Sequence, residues 1–161
     1  LSWRVTILPF LGMKDLFAKF HQDEPWDSEH NKPLVAEMPD VYRCPRSKVG
    51  DQGLTVYQVP RGPDTVFAND EGAKIRSITD GTSNTIMFVE VDDRLAEPWT
   101  KPADWTFKPA DPKAGLGGHF PGIFCAGFCD SSVHAITLQI KEDNLNALFT
   151  RNGRETVTIP D

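Results

Sequence analysis

Glu90, His119 and Asp130 are the residues of this chain whose side chains could carry out chemistry together. A carboxylate at the end of an apolar segment, a histidine after two glycines and an aspartate in a turn are groups that bind a divalent metal or transfer a proton. A metal-dependent enzyme built on these three residues is therefore one hypothesis. The remaining histidines lack zinc-ligand spacing such as i, i+4; they are His21, His30 and His134. A hydrogen-bonded structural role for His119 is favoured, so no metal, cofactor or catalytic residue is assigned.

Two further polar sites are interpreted as structural. The segment 80–84, Asp-Gly-Thr-Ser-Asn, could cradle a phosphate or a cation, but it lacks the glycine pattern of a nucleotide loop. A turn whose side chains satisfy their own backbone is favoured. Glu90 ends a strand that reads as buried, so its carboxylate needs a partner. We expect Lys101 or Arg76 to supply it, in an ion pair that ties the Trp99 loop to the sheet.

The acidic and tryptophan residues leave two interpretations open. Four carboxylates lie between His21 and His30 without the spacing or central glycine of a calcium-binding loop, which favours a solvated acidic loop; they are Asp23, Glu24, Asp27 and Glu29. Tryptophans in or near loops suit binding of a sugar or a peptide, and burial beneath the long loop explains them equally well; they are Trp3, Trp26, Trp99 and Trp105.

Composition excludes several classes of protein. The chain has 161 residues, 39% apolar and 25% charged, which suits one folded domain over residues 1–161. A net charge of −6 without a basic run argues against a nucleic-acid surface. No apolar run approaches the roughly 20 residues of a membrane helix, so we expect no membrane contact from this segment itself. Because it starts at Leu1 and in the middle of a pattern, we expect a fragment that lacks an upstream segment.

The three cysteines cannot form a fully paired disulfide framework. Cys125 and Cys129 are four residues apart in a predicted strand, about 13 Å along it, so they cannot bond unless the chain turns near Gly127. A bond from Cys44 to one of them stays possible, but thiols are favoured.

Periodicity predicts short helices in the first third of the chain. Apolar residues at i, i+3, i+4 and i+7 from Met13 to Phe20 predict a helix after Gly12. A second helix is expected after Asn31, with Asn31 as its cap and Pro39 at its end. Residues 3–7 alternate like a strand, although a helix end is not excluded.

The rest of the chain predicts an antiparallel sheet. Residues 42–45 and 54–59 read as extended, and 84–91 reads as a buried central strand. A hairpin is expected from 123–129 and 133–140, about Asp130-Ser131. Residues 96–118 form a long irregular loop, 145–149 a closing helix and 155–159 an edge strand. The predicted fold class is α+β, with short helices packed on an antiparallel sheet and long irregular loops.

Several long motifs in order resemble one family. They include Ile78 to Glu90, Glu97 to Asp104 and Gly115 to Phe120, with Leu1 to Leu11 before them and Leu148 to Gly153 after them. These stretches resemble DUF1559, a large planctomycete family whose members often look like pseudopilins with a globular head. Its C-terminal signature is a histidine, about nine residues and then Asp-Gly. Here ten residues separate His119 from Asp130-Ser131.

The resemblance implies a cellular context rather than a reaction. It implies a non-enzymatic structural or assembly domain of pseudopilin type, in the cell envelope or outside the cell, with protein partners or copies of itself as its contacts. The alternative is a carbohydrate- or peptide-binding module that uses the Trp99–His119 loop. An exposed Trp99 or Trp105 beside a cleft would favour this alternative.

Overall fold

Short helices and antiparallel strands form the chain, whose computed structural model describes residues 1–68 and 72–154. The α+β class predicted from the sequence is confirmed. Contacts divide the chain into two units, which we describe separately. Unit 1 is Leu1–Val56 with Ala96–Ala103, and unit 2 is Tyr57–Leu95 with Asp104–Asp161.

The regular elements of the described residues are short. The α-helices are α1 (Trp3–Thr6), α2 (Lys14–Ala18) and α3 (Glu142–Phe149). The strands are β1 (Leu54–Thr55), β2 (Tyr57–Gln58), β3 (Ile86–Glu90), β4 (Glu97–Pro98), β5 (Ile123–Phe128) and β6 (Val133–Thr137). The 3₁₀ helices are Leu8–Leu11, Lys32–Glu37, Asp40–Tyr42, Gly50–Gln52, Ile75–Ser77, Thr82–Asn84 and Asp93–Leu95. Within this part of the chain, no helix is long and apolar enough to span a bilayer.

Trp99 is the centre of the apolar core of unit 1. Its side chain is fully buried, stacks on Tyr42 with ring centroids 5.8 Å apart, and meets Phe20 edge-on at 5.6 Å. Its indole N–H donates to the Val35 carbonyl at 3.0 Å, and its own carbonyl accepts from the Ser2 hydroxyl at 2.6 Å. Trp99 therefore connects segments of unit 1 that are distant in sequence. β1 and β4 also pair antiparallel next to it.

The first helices follow local capping rather than alternation. Residues 3–6 form α1 because the Ser2 side chain accepts from the Val5 N–H, so the alternative of a strand there is wrong. The helix after Gly12 is confirmed as α2, and the apolar residues predicted for its face line the core of unit 1. The helix after Asn31 is present as a 3₁₀ helix, and it ends before Pro39.

Asn31 organises the acidic loop instead of capping a helix. Its side chain is buried, accepts from the His21 N–H at 3.0 Å, and donates to the carbonyls of His21, Glu24 and Pro25 at 2.9, 3.3 and 3.1 Å. The acidic side chains remain outside, since Asp23, Asp27 and Glu29 are exposed. The prediction of a solvated acidic loop is confirmed.

Unit 2 contains a four-stranded antiparallel sheet in the order β2-β3-β5-β6. The prediction of a buried central strand is confirmed as β3. The stretch 54–59 is extended, as expected, although β1 and β2 belong to different sheets. Residues 42–45 are not a strand, because the 3₁₀ helix Asp40–Tyr42 ends there. The edge strand expected at 155–159 lies outside the described residues.

The β5–β6 hairpin is also confirmed. Ser131 adopts φ of 73° at its turn, and the Ser131 N–H bonds the Phe128 carbonyl at 3.0 Å. This places a non-glycine residue in the left-handed region, which glycine adopts more easily. β5 does not turn at Gly127, and the three cysteines are thiols, as favoured from the sequence.

The closing helix of unit 2 covers one face of its sheet. α3 packs against β3 and buries Leu145, Leu148 and Phe149. Phe149 joins Trp105 and Phe107 in an aromatic cluster, with ring centroids 5.3 and 4.7 Å from its own. The Trp105 N–H donates to the Ala114 carbonyl at 2.9 Å, so the indole is fixed beneath its own loop.

Gly127 is predicted to be intolerant of alanine. The Phe88 ring lies over it, and an added Cβ would be 2.2 Å from that ring. We expect Gly127→Ala to lower the free energy of unfolding by about 1–3 kcal/mol through overpacking. Gly50→Ala is the control, because a Cβ there meets only Arg43 at 3.8 Å. Urea unfolding measures both; equal losses would contradict the packing argument.

The phenol of Tyr42 should lose its proton only at unusually high pH. Burial raises the pKa of its phenol to about 12. The unfolded chain loses this proton near pH 10, so between pH 10 and 12 it binds fewer protons than the folded chain. Stability should therefore fall as pH rises through that window. In Tyr57→Phe protein, Tyr42 is the sole tyrosine, and its tyrosinate absorbance should have a midpoint near 12. A midpoint near 10 in folded protein would contradict this.

Candidate functional site

A histidine between two carboxylates forms the candidate site in unit 2. The His119 Nε2 atom is 2.9 Å from Oδ1 of Asp93, and its Nδ1 atom is 3.5 Å from Oε1 of Glu90. The side chains of His119 and Glu90 are only 4% and 2% exposed, whereas that of Asp93 is 28% exposed. The imidazole is thus shielded from solvent, with one carboxylate at the rim and one inside.

Backbone pairing beyond the end of β3 brings these groups together. Val91 and Leu116 form an antiparallel bridge. The Gly117 N–H donates to the Glu90 carbonyl at 3.1 Å, and the Asp92 N–H donates to the Gly115 carbonyl at 2.8 Å. Residues 115–118, the glycine-rich segment, therefore pair with the chain at the end of β3. This pairing places His119 next to Glu90.

The glycines of this segment are required by close approach and by backbone conformation. Gly117 and Gly118 have φ of 79° and 101°, which residues with a side chain rarely adopt. A Cβ on Gly117 would be 2.9 Å from the Ile123 carbonyl oxygen, and one on Gly118 would be 2.8 Å from Oδ2 of Asp92. The Gly-Gly-His pattern is thus the local requirement for placing His119.

Asp92 and Arg94 stabilise the turn that carries Asp93. Asp92 Oδ1 accepts from the Arg94 backbone N–H at 2.9 Å and from its Nε at 2.8 Å. The Arg94 side chain, and then its backbone N–H, lower the pKa of Asp92, while the hydrogen bond to Asp92 raises the pKa of Arg94. This local pair turns the chain at the 3₁₀ helix Asp93–Leu95, at whose first position Asp93 contacts His119.

The hydrogen bond to Asp93 sets the tautomer of the His119 imidazole. Because Asp93 is a carboxylate acceptor, the His119 Nε2 atom carries a proton and donates it, which directs Nδ1 toward Glu90. Nδ1 and the Glu90 carboxylate can then share a cation, either a proton or a metal ion. Both residues could therefore contribute a ligand atom to a metal ion.

The structure joins two of the three residues proposed for a metal-dependent enzyme. Asp130 does not belong with Glu90 and His119, because its neighbour Cys129 bonds Thr85 at the other end of β3, roughly 15 Å away by strand rise. Asp130 instead accepts from the Ser132 N–H and hydroxyl at 2.9 and 2.6 Å, and the bond from the hydroxyl is the main cause that lowers its pKa. Grouping these three residues was therefore wrong.

Sequence reasoning missed Asp93 and named the wrong partner for Lys101. Asp93 follows β3 in a run of two aspartates, and this position after a buried strand was the available signal. Lys101 pairs with Glu97 at 2.7 Å, within unit 1, rather than with Glu90.

The turn at 80–84 is in part the self-satisfied turn expected from the sequence, since the Asn84 side chain bonds its backbone, whereas the Asp80 side chain bonds a distant segment. The Asn84 amide donates to the Asp80 carbonyl at 3.0 Å, and the Thr85 hydroxyl donates to the Gly81 carbonyl at 3.0 Å. The Asp80 carboxylate accepts from the N–H groups of Gly153 and Arg154 at 2.7 and 2.8 Å. These oxygens therefore anchor the chain after α3.

The tryptophans of the long loop offer no exposed ring for a ligand. Trp99 is 0% exposed in unit 1 and Trp105 is 6% exposed in unit 2. Each indole N–H already donates to a backbone carbonyl. The condition that would have favoured a sugar- or peptide-binding module is not met.

Comparison with known proteins identifies a family. A family model, SBP_bac_10, described as "Protein of unknown function (DUF1559)", matches residues 1–65 and 49–114. These ranges include β3 with the Asp92–Arg94 turn. No curated protein and no solved structure matches the chain.

Gly118→Ala should damage the site more than its matched control. Both Gly118 and Gly122 have positive φ, but a Cβ at Gly122 meets nothing within 4 Å, whereas one at Gly118 meets Asp92. Left-handed strain costs each variant about 1–2 kcal/mol. We expect an additional loss of about 0.5–1.5 kcal/mol for Gly118→Ala, because the Asp92 carboxylate must move and weaken its hydrogen bonds to Arg94, measured by chemical unfolding. Equal losses would contradict this account of the glycine.

Proposed function

The chain belongs to the DUF1559 family, and on that premise we propose that it is a non-enzymatic domain of pseudopilin type, envelope-associated or secreted, which works by assembling with copies of itself. Family membership supplies the context, and the surface of unit 1 supplies the contact. The single observation that carries the proposal is an apolar pair held outward on a fixed turn.

Phe10 and Leu11 form this apolar pair. Their exposed fractions are 86% and 40%, at the end of the 3₁₀ helix Leu8–Leu11. Leu8 is fully buried and anchors the turn, and Gly12 closes it with φ of 77°. A partner that covered the pair would remove apolar surface from water, at about 25 cal/mol per Å². Because the turn is already anchored, little ordering cost would oppose binding.

Charge sets the conditions for self-association. Each copy carries a net charge of −6, so two copies repel each other at low ionic strength. Salt screens this repulsion, while burial of apolar surface does not weaken as salt is added. Association through Phe10 and Leu11 should therefore strengthen as salt is raised, which is the opposite of the trend for contacts between opposite charges.

The alternative of a binding module has less support. Its argument rested on aromatic rings presented by the Trp99–His119 loop, and both indoles of that loop are buried. A sugar or peptide would need another surface. Assembly through the apolar turn is therefore the function that we put forward.

Phe10→Ser should weaken self-association at least tenfold. The variant removes the larger apolar side chain from the turn without touching buried Leu8. The matched control is Ile75→Ser, since Ile75 is 78% exposed and lies in unit 2. Sedimentation velocity over a range of protein and salt concentrations measures the association constant.

Two results would overturn the assembly proposal. One is a wild-type chain that stays monomeric at every concentration, and the other is an equal effect of Phe10→Ser and Ile75→Ser. Fractionation of cells that make the natural protein checks its location. Recovery in the envelope or the medium is expected, and recovery in the cytosol alone would contradict that part.

A further inference from the structure

We propose that Glu90 and His119 bind a divalent transition-metal ion, with Nδ1 and a carboxylate oxygen as ligands and with Asp93 as the positioning residue for the imidazole. This inference is independent of the assembly proposal, because it concerns the interior of unit 2 rather than the exposed turn of unit 1. It also departs from the sequence patterns, which predicted no metal.

The separation of the two donor atoms fits a shared metal. Nδ1 of His119 and Oε1 of Glu90 are 3.5 Å apart. A direct charge-assisted hydrogen bond between them would bring them to about 2.7–2.9 Å. Two ligands of a tetrahedral zinc, at bond lengths of about 2.0–2.2 Å, lie about 3.4 Å apart. The atoms are thus spaced for an ion between them.

Asp93 prepares the imidazole for metal binding. It accepts from Nε2 at 2.9 Å, which leaves the Nδ1 lone pair on the side of Glu90. A carboxylate on the far nitrogen of a metal-ligating histidine fixes the tautomer and raises its basicity, an arrangement common in zinc proteins. In this arrangement His119 is one ligand, oriented by its hydrogen bond to Asp93, and Glu90 is the second ligand.

Burial and charge favour a divalent cation. The Glu90 carboxylate is 2% exposed, and the nearby Asp93 brings a second negative charge. Both carboxylates therefore place negative charge next to the imidazole, which attracts a cation.

The donor atoms indicate the class of ion. One imidazole nitrogen and one carboxylate oxygen suit Zn²⁺ or Co²⁺ better than Ca²⁺ or Mg²⁺, which take mostly oxygen ligands. Further donors would complete the coordination of the ion. Zn²⁺ and Co²⁺ are therefore the probes for the test.

Metal titration of the chelator-treated, dialysed chain tests the proposal. Calorimetry with Zn²⁺ and visible absorption with Co²⁺ should give one ion per chain. Glu90→Gln and His119→Gln should each weaken binding at least tenfold, and Asp93→Asn should weaken it about 10- to 100-fold. His30→Gln is the matched control, since His30 is exposed, stacks on His21 at 3.4 Å and should leave the affinity unchanged.

If a variant fails to fold, a measurement on the unaltered chain still tests the proposal. Co²⁺ should shift the NMR resonances of the His119 imidazole strongly, and those of His21, His30 and His134 weakly. The proposal is overturned if the folded chain binds no stoichiometric metal, if His30→Gln lowers the affinity as much as His119→Gln, or if Co²⁺ shifts another histidine most. Failure here would leave the assembly result untouched, because sedimentation is read without added metal.

Discussion

The antiparallel pairing of residues 90–92 with 115–117 is the constraint on which the candidate site depends. Two backbone hydrogen bonds join the two segments, and the positive-φ Gly117 and Gly118 leave no room for a side chain against Ile123 and Asp92. His119 follows directly and meets the Glu90 carboxylate in a nearly dry environment. A buried carboxylate is costly unless it is paired, so the stability of this region depends on the groups that surround Glu90.

Unit 1 depends on a different interaction, the burial of Trp99. Its ring contacts Tyr42 and Phe20, while its indole and backbone groups hydrogen-bond to chain segments far apart in sequence. An aromatic side chain this fully satisfied contributes to the core and is withdrawn from ligands. The exposed apolar side chains of unit 1 instead include Phe10, which belongs to none of the chemical motifs of the sequence.

Local sequence patterns predicted the helices and strands well, but they predicted the contact partners of buried side chains poorly. The apolar run of β3, the β5–β6 hairpin and the amphipathic α2 were predicted because their periodicity and turn residues act over a few positions. Residues 3–7 were ambiguous, since alternation competed with a Ser2 cap and the cap prevailed. Glu90 was expected beside Lys101 or Arg76, yet it meets His119, because partners of a buried group depend on contacts distant in sequence.

The sequence by itself determined the α+β class and the membership of the DUF1559 family, because these follow from short-range patterns and ordered motifs. Only the tertiary structure decided that Asp93 joins Glu90 and His119 while Asp130 does not. The strand direction sets this, since β3 carries Glu90 to one end of the sheet and the hairpin turn holds Asp130 at the other. The same holds for the tryptophans, whose burial depends on packing that no local pattern specifies.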